Sequence, residues 1–557
     1  MKTLGELIDG LTVVETRGDM GATISSVCCD SRKAVAGSLF VCLPGSRVDG
    51  HSFIRDALSN GAVAVVCESE AGKDIPAAVV RVRDSRGALA AISASFYDHP
   101  ASKLKLVGIT GTNGKTTTSL LLESILRHAG FEPGVLGTLS YRWAGKEIPA
   151  SMTTPESLDL QRILHEMLGD GVTHVVMEVS SHSLVLGRVA GLAFRAGVFT
   201  NLSQDHLDFH KTMEDYFLAK KLLFSNYLDP QASAAVINAD DPYGMKLLEN
   251  GTRAARAVGY SAKIYPGLPG TNGTHAPGKA SDPPGRGSEQ ANGAASTVQG
   301  RDSVCTEAVD FGPDGICARV MTPRGAIEIR SALVGRLNLY NILAAVSAGS
   351  CLDVPLNAIA AGIEAVSEVD GRLQRVQVPA WFGCGVIVDY AHTPDAMEKA
   401  LGCLREMTSG RLIAVFGCGG DRDNGKRPLM GGIAARCADV VVLTSDNPRT
   451  EDPEKILDQI EAGLSGLDIR RAEPNSSLPA GKWYVRISDR RKAIEFGLSA
   501  ARPGDLLFIG GKGHETYQII GYTKHSFDDR IVVRDYFQKT QVFGESAKDV
   551  VDTGNSY

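Results

Sequence analysis

Residues 106–118 read Leu-Val-Gly-Ile-Thr-Gly-Thr-Asn-Gly-Lys-Thr-Thr-Thr, and this stretch decides the fold of the central part of the chain. The apolar residues 106–109 predict a buried strand, and residues 119–126 have the length and the spacing of a helix. A glycine-rich turn joins the two. A strand, a glycine-rich turn and a helix in this order are typical of α/β proteins that bind a phosphate at the start of the helix.

The turn carries the residue types that a nucleoside triphosphate requires. Gly111 and Gly114 let backbone N–H groups approach a phosphate closely, and the positive end of the helix dipole favours the anion. Lys115 would reach the terminal phosphates, and the Thr116 hydroxyl would bind Mg²⁺. The spacing departs from the standard phosphate-binding loop, because Ile109 stands where its first glycine should fall. We predict a nucleoside triphosphate site; a tight turn with a surface lysine is the alternative.

Composition narrows the class of protein. The chain has 557 residues, a length that predicts about three or four domains. Of these residues 43% are hydrophobic and 22% charged, which is ordinary for a globular protein. The net charge of −6 argues against nucleic-acid binding and gives no attraction to a membrane surface. No apolar run approaches the roughly 18 residues that span a bilayer, and the first residues lack the apolar core of a signal peptide. The eleven scattered cysteines fit reduced thiols, so we expect a cytoplasmic protein.

Polar residues follow two further strand-like runs. Residues 174–177 lead into Glu178, and residues 196–199 lead into a polar segment that ends at His206. In open parallel α/β sheets, ligands bind beyond the carboxyl ends of the strands, so these side chains should converge near Lys115. Glu178 and His206 are then candidate ligands for Mg²⁺ or Mn²⁺ beside the phosphates. The alternative for each is a capping or core polar residue.

The pattern divides the chain into three α/β regions. We predict an N-terminal domain at 1–102, a central domain at 103–369, a C-terminal domain at 370–545 and a polar tail at 546–557. Residues 262–303 are rich in glycine, proline, serine and asparagine, and they predict a disordered insertion in the central domain. After the insertion, the fold is expected to resume with a strand at 327–329.

Charged or glycine-rich turns end four strand-like runs of the C-terminal region, which predicts a second, Rossmann-like sheet with its ligand at one edge. Arg422 and Arg449 suit bidentate recognition of a carboxylate. Together with Asp446 and Glu515, they suggest a zwitterionic ligand that carries an amine and an acid. A set of solvated surface charges is the alternative.

Taken together, the motifs resemble those of the Mur ligases of peptidoglycan synthesis. The resemblance covers nearly the whole chain except the insertion and the tail, and it rests on segments 110–117, 178–182, 201–208, 389–395, 446–449 and 511–515. It implies an α/β fold with an N-terminal uridine-binding domain, a central P-loop-type ATPase domain and a C-terminal Rossmann-like domain. It also implies an ATP-dependent amide ligase that acts on UDP-MurNAc-L-Ala-D-Glu through an acyl phosphate, with Mg²⁺ and as a monomer.

The resemblance assigns residues to ATP and to the nucleotide-linked substrate. The ATP set is Gly111, Thr112, Asn113, Gly114, Lys115, Thr116, Thr117, Asn338 and Asn341. The set for the UDP-MurNAc-dipeptide is Ser31, Ser46, Arg47, Thr153, Thr154, Ser180 and Arg188.

The resemblance also implies a carbamylated lysine, an N6-carboxylysine, at Lys220. The catalytic set is then Lys115, Glu178, His206 and Lys220, and the metal set is Thr116, Glu178, His206 and Lys220 as its carbamate. From the sequence alone, Lys220 is expected to be an exposed helix residue, and its neighbour Lys221 leaves the register open by one.

The incoming amino acid is expected to be meso-diaminopimelate. Its residues would be Arg422, Asp446, Asn447, Pro448, Arg449, Gly511 and Glu515. Lysine or ornithine, which have no distal carboxylate, would leave the arginines without a counter-ion. The alternatives are a ligase that uses L-lysine or L-ornithine, a folylpolyglutamate synthase, and a non-catalytic scaffold homologue.

Overall fold

The computed structural model describes residues 1–45, 48–70, 72, 74–263, 303–312, 315–474 and 479–539. Ser46 and Arg47, residues 264–302 of the predicted insertion and the predicted tail at 546–557 lie outside these ranges. Three large sheets follow one another along the chain, with five, eleven and seven strands. The predicted succession of three α/β regions is therefore confirmed at the level of the sheets.

The first sheet has the order β2-β7-β6-β5-β4, and it is parallel except for the antiparallel pair of β2 and β7. Asp84 caps helix α3, which packs over this sheet with α1. The elements are β1 Lys2–Thr3, α1 Leu4–Ile8, β2 Val13–Arg17, β3 Thr23–Ile24, β4 Ser26–Cys28, β5 Ser38–Val41, α2 Ile54–Ser59, β6 Ala62–Cys67, β7 Ala78–Val82 and α3 Ser85–Phe96.

The central sheet has the order β11-β10-β9-β12-β8-β13-β14-β15-β16-β17-β18. Its strands are β8 Lys105–Thr110, β9 Pro133–Leu136, β10 Ser140–Trp143, β11 Lys146–Pro149, β12 His174–Glu178, β13 Phe194–Phe199, β14 Ala234–Asn238, β15 Arg256–Ser261, β16 Ser303–Gly312, β17 Gly315–Thr322 and β18 Gly325–Ser331. Its helices are α4 Lys115–His128, α5 Ser157–Gly169, α6 Ser181–Val185, α7 Leu207–His210, α8 Met213–Asn226, α9 Pro242–Asn250, α10 Arg336–Cys351 and α11 Leu356–Glu364.

The strands that lead to the predicted site are parallel. β8 lies between β12 and β13, and both pairs run parallel, so their carboxyl ends meet at one edge of the sheet. Both flanks of the sheet are antiparallel, at β9-β10-β11 and at β16-β17-β18. The prediction that the fold resumes at 327–329 is wrong, since β16 and β17 precede that strand. Apolar and polar residues are mixed along β16 and β17, so neither strand shows a continuous apolar run in the sequence.

Helix α4 is packed tightly against α10 and α11 over the central sheet. Val107, Ile125 and Leu343 belong to this core and are fully buried. Gly362 of α11 lies so close to α4 that a Cβ added to it would stand 2.4 Å from the Ile125 Cα. Helix α4, which begins at Lys115, is therefore fixed by close packing on the side that faces α11.

The C-terminal sheet has the order β19-β20-β25-β21-β22-β24-β23, parallel except for β19 with β20. Thr393 caps helix α12 and Pro394 is its first residue, as the sequence predicts. The elements are β19 Gln374–Arg375, β20 Gly385–Asp389, α12 Pro394–Met407, β21 Leu412–Phe416, α13 Lys426–Cys437, β22 Val440–Leu443, α14 Pro453–Ala462, β23 Arg470–Arg471, β24 Trp483–Arg486, α15 Arg490–Ala500, β25 Leu506–Gly510, β26 Tyr517–Ile520 and β27 Thr523–Ser526.

The eleven cysteines, all within the described ranges, form no disulfide bond with one another. Across those same ranges, no helix combines the length and the apolar character that crossing a bilayer requires.

Candidate functional site

The glycine-rich turn between β8 and α4 adopts backbone angles that favour glycine. Gly111 has φ +147° and Gly114 has φ +88°. A Cβ on Gly111 would stand 1.8 Å from the Thr200 Oγ1, and one on Gly114 would stand 2.3 Å from the Asn341 Oδ1. A side chain at either position would therefore collide with Thr200 or Asn341. Glycine at these positions also leaves room for a phosphate to approach the backbone closely.

The segment after β13 clamps this loop. The Asn113 N–H donates to the Asn201 Oδ1 at 3.0 Å, while the Asn113 carbonyl accepts from the Thr200 hydroxyl at 2.6 Å and the Asn201 amide at 3.0 Å. The Thr112 hydroxyl accepts the Ser203 N–H at 3.0 Å. The segments that follow β8 and β13 therefore converge, as predicted. The hydrogen bonds between them fix the loop that precedes α4.

Two lysines meet at one carbonyl oxygen. Lys115 Nζ donates to the Gly111 and Thr112 carbonyls, each at 2.9 Å, and Lys220 Nζ donates to the same Gly111 carbonyl at 2.9 Å. The Lys220 amine also lies 4.4 Å from the centre of the Tyr216 ring. Burial lowers the pKa of both lysines, that of Lys220 well below its ordinary value, and their mutual repulsion adds to the effect on Lys220.

The prediction that Lys220 is exposed is wrong. Lys220 is 2% exposed, because its face of α8 packs under the glycine-rich loop. The following residue, Lys221, is half-buried, and it is Lys220 that contacts the loop.

Glu178 ends β12 and lies beside the start of α4. Its Oε1 accepts the Thr116 hydroxyl at 2.9 Å and the Thr138 N–H at 2.9 Å, and its Oε2 accepts the Thr138 hydroxyl at 3.0 Å. The carboxylate is 1% exposed. The Glu178 carboxylate and the hydroxyls of Thr116 and Thr138 therefore lie together next to the glycine-rich loop.

His206 lies at the edge of the same site. Its backbone is left-handed, with φ +54°, and its Nε2 lies 3.3 Å from the Asp205 Oδ2. Its ring packs edge-on against His182, with 4.9 Å between the ring centroids. Desolvation lowers the pKa of His206, whose side chain is 46% exposed, and this favours the neutral imidazole with a lone pair available for a metal.

The donor set around Glu178 fits a hard cation. Within the described ranges, no three His, Cys, Asp or Glu side chains are placed to hold a metal by themselves. Mg²⁺ is commonly bound by one or two carboxylates together with substrate phosphates and water, so Glu178 and Thr116 suffice on the protein side. The site therefore fits a cation that arrives with a nucleotide.

The two predicted asparagines lie on α10 behind the loop. Asn338 donates to the Val334 carbonyl at 2.9 Å, and Asn341 donates to the Asn338 Oδ1 at 3.1 Å. Both are buried, and the Asn341 Oδ1 faces Gly114. This contact makes α10 the rear wall of the predicted nucleotide site.

A carboxylate from the C-terminal region reaches the glycine-rich loop. The Asp395 Oδ2 on α12 accepts the Asn113 amide at 3.1 Å and the Ser203 hydroxyl at 2.5 Å. Lys399, one turn further along α12, donates to the same oxygen at 2.9 Å. The C-terminal region is therefore attached directly to the loop that would hold the phosphates.

The residues predicted for the nucleotide-linked substrate lie on the other side of Glu178. The Thr154 hydroxyl donates to the Glu178 carbonyl at 2.8 Å and accepts the Ser180 N–H at 3.1 Å. Arg188 donates from Nη1 to the Thr154 carbonyl at 3.3 Å, and its Nε, which makes no hydrogen bond in the described structure, lies 3.5 Å from the Glu156 Oε2. Thr153 joins the group through the Thr138 hydroxyl at 3.2 Å.

Ser31, the remaining described member of that set, lies in the N-terminal region. It is 8% exposed and begins a short 3-10 helix that Asp30 caps. Its carbonyl accepts the Asn60 amide at 3.0 Å. No hydrogen bond described for Ser31 reaches the central site.

The second cluster forms at the carboxyl edge of the C-terminal sheet. Asn447 donates from Nδ2 to the Glu515 Oε2 at 2.9 Å and accepts Lys512 Nζ on its Oδ1 at 3.0 Å. The Asp446 Oδ1 lies 3.3 Å from Lys512 Nζ but has no hydrogen bond among the described residues. A Cβ on Gly511 would stand 2.9 Å from the Asp446 Oδ2.

Two arginines border this cluster. Arg449 Nη1 donates to the Gly420 carbonyl at 2.7 Å, and a Cβ on Gly419 would stand 3.0 Å from that same nitrogen. Arg422 lies beside the same glycine, with its Cγ 3.9 Å from the added Cβ of Gly419, and it is exposed; its Nη1 donates to the Asp421 carbonyl at 3.3 Å. Pro448 is buried in the turn between them. Both guanidinium groups retain N–H donors for a carboxylate.

Sequence reasoning assigned no role to several residues that the structure places in the two clusters. These are Thr138, Asn201, Asp205, Asp395 and Lys512. Asn201, Asp205, Asp395 and Lys512 stand inside recognised motifs, so their polar character at a strand end was a usable signal. Thr138 carried no such signal, because its role depends on a contact with Glu178 across 40 positions of the chain.

Family models match all three regions. The Mur ligase family catalytic domain model matches residues 23–97, the Mur ligase middle domain model matches 109–266, and the Mur ligase glutamate ligase domain model matches 371–513.

Relatives and solved structures agree with these matches. A UDP-N-acetylmuramoyl-L-alanyl-D-glutamate–2,6-diaminopimelate ligase of Geobacter metallireducens is 43% identical over 95% of this chain and 97% of its own. One from Gloeobacter violaceus is 43% identical over 96% and 98%. A solved structure with the same ligase name is 30% identical, has a TM-score of 0.62, and covers 97% of this chain and 99% of its own. This chain therefore belongs to the Mur ligase family.

Proposed function

We propose that this protein is an ATP-dependent ligase that joins meso-diaminopimelate to the D-glutamate of UDP-MurNAc-L-Ala-D-Glu. Relatives that carry this name match nearly the full length of the chain. The observation that carries the proposal is the pairing of two sites, a phosphate-type loop with Glu178 and an acid-and-arginine cluster around Asp446. The Asp395 contact joins the C-terminal region, which carries the second cluster, to the glycine-rich loop.

The second cluster supports an amino acid with two carboxylates. The Asp446 Oδ1 is a buried acceptor with no hydrogen bond among the described residues, although the Lys512 ammonium lies 3.3 Å away, and the ammonium group of the amino acid would supply a donor. The free N–H groups of Arg449 and Arg422 suit the distal carboxylate of diaminopimelate. Lysine or ornithine would fill the ammonium site but leave the guanidinium groups without a partner.

In the first step, a D-glutamate carboxylate oxygen attacks the γ-phosphorus of ATP, and ADP leaves with the electrons of the broken P–O bond. Lys115 stabilises the charge that develops on the phosphoryl oxygens. Arg188, whose Nε lies 3.5 Å from the Glu156 Oε2, would supply the positive charge that orients the carboxylate. Mg²⁺, held by Glu178, Thr116 and His206, would neutralise phosphate charge.

In the second step, the neutral amine of the amino acid attacks the acyl carbon. A C–N bond forms, the tetrahedral intermediate expels inorganic phosphate, and the amine loses its proton. Asp395 keeps the C-terminal cluster against the glycine-rich loop, which brings the amine to the acyl phosphate and excludes water.

We propose that Lys220 is the carbamylated residue. Its buried amine has a pKa well below the ordinary value, so the neutral form that attacks CO₂ is favoured. Attack forms an N–C bond and releases one proton, which converts the neutral amine beside Lys115 into an anion that would help hold Mg²⁺. Addition of ¹³C-bicarbonate should give a carbamate NMR signal that is lost in Lys220→Ala and kept in Lys221→Ala. A signal retained in Lys220→Ala would contradict the assignment.

The predicted boundaries at 102/103 and 369/370, the monomeric state and the cytoplasmic location remain proposals. Light scattering of the active enzyme tests the monomer, and limited proteolysis tests the boundaries.

Phosphate release from ATP tests the function. Release should require both UDP-MurNAc-L-Ala-D-Glu and an amino acid. A protein that binds ATP but shows no amino-acid-dependent release would contradict the ligase and favour a scaffold.

A further inference from the structure

A small hairpin stands outside the three large sheets and contacts the turn at 446–449. Its strands β26 and β27 pair antiparallel, and β27 is exposed throughout. On the inner strand, Gln518 donates from Nε2 to the Asp446 carbonyl at 2.7 Å, and the Ile519 N–H donates to the Asn447 Oδ1 at 2.9 Å. The hairpin therefore binds both residues that begin the turn.

The same strand holds the backbone of Arg449 on both sides. The Arg449 N–H donates to the Ile519 carbonyl at 3.1 Å, and the Gly521 N–H donates to the Arg449 carbonyl at 2.7 Å. Arg449 has φ +51°, a left-handed conformation that a non-glycine residue adopts at a cost. Such a conformation persists when its surroundings over-determine it, and here the hairpin supplies those bonds.

We propose that β26 is a positioning element for amino-acid specificity, and that Gln518 is its anchoring residue. Gln518 fixes the Asp446 backbone, and the Ile519 and Gly521 backbone bonds fix Arg449, so the carboxylate and the guanidinium are kept at a set separation. A ligand with an ammonium group and a distal carboxylate then fits both ends at once. This inference rests on the proposed function, because it concerns how that ligand is recognised.

Steady-state kinetics of Gln518→Ala and Gln518→Glu test the proposal, because glutamate keeps the shape and removes the N–H donor. Both variants should raise the KM for diaminopimelate about tenfold and lower the preference for diaminopimelate over lysine about tenfold, as expected for a lost hydrogen bond and a displaced arginine. The kcat and the KM for ATP should stay within about twofold. Thr523→Ala on the exposed β27 is the control and should match wild type.

A wild-type enzyme that prefers diaminopimelate, with an unaffected Gln518→Glu, would overturn this inference alone. A fall in kcat together with an equal rise in the KM of every substrate would also overturn it, since such changes indicate general damage to the enzyme. A wild-type enzyme that prefers lysine would overturn the proposed function, and the inference with it.

Discussion

The contact between the glycine-rich loop and α10 gives a quantitative prediction for Gly114→Ala. The new Cβ would stand 2.3 Å from the Asn341 Oδ1, whereas ordinary contacts begin at 3.4 Å. The loop or Asn341 must therefore move by about 1 Å. A misplacement of this size can cost an enzyme about 10²-fold in rate, and we expect a loss of the same order in nucleotide affinity because this loop holds the phosphates. We expect the Kd for a non-hydrolysable ATP analogue, measured by calorimetric titration, to rise about 10²-fold.

Gly130→Ala is the matched control at the other end of α4. Gly130 also has a left-handed backbone, with φ +80°, but nothing lies within 4 Å of its added Cβ. It carries the same backbone strain of about 1–2 kcal/mol without a collision near the nucleotide. We expect the Kd of Gly130→Ala to stay within about twofold of wild type.

A double-variant cycle identifies the group that the new methyl meets. In the Asn341→Ala background the collision is removed, so Gly114→Ala should add less than about tenfold to the Kd. If the fold-changes in Kd of Gly114→Ala and Asn341→Ala multiply fully in the double variant, Asn341 is not the group that the new methyl meets, and the reasoning is refuted. Binding by Gly114→Ala equal to that of Gly130→Ala would refute it as well.

Three further predictions concern the two clusters. Asp395→Ala should lower kcat about tenfold and leave the nucleotide Kd within twofold, because it breaks the contact between the C-terminal region and the glycine-rich loop. Glu398→Ala, at an exposed position of the same helix, is the control. Glu178→Gln should lower Mg²⁺-dependent phosphate release about 10²-fold while metal-free nucleotide binding persists. In CO₂-free buffer, the unfolded state holds the Lys220 proton more tightly than the native state does. Thermal stability should therefore rise with pH toward the ordinary lysine pKa of about 10.4, and Lys220→Met, but not Lys221→Met, should flatten that rise.

The parts of the fold that the sequence predicted are governed by local patterns. The strand, glycine-rich turn and helix at 106–126 and the Thr393-Pro394 helix start follow from neighbouring residues, and both are present. The strands β16 and β17 were missed, because buried and exposed positions alternate along β17 and β16 is buried mainly near its start, so neither shows a continuous apolar run.

The parts of the site that the sequence missed depend on distant contacts. Lys220 has the surroundings of a surface residue within its own helix, and its burial arises from Gly111, 109 positions away. Lys512 is fully buried because Asn447 and Asp446 approach it from another strand end. Periodicity within one segment contains no information on which segments meet.

The most direct test of the proposed function measures phosphate release from ATP with UDP-MurNAc-L-Ala-D-Glu and, in parallel, meso-diaminopimelate, lysine or ornithine. We predict strong preference for diaminopimelate, and we predict that Arg449→Ala removes that preference because the distal carboxylate loses its guanidinium partner. Turnover with lysine or ornithine at the same or a higher rate would contradict the role assigned to Arg449 and the substrate that we propose.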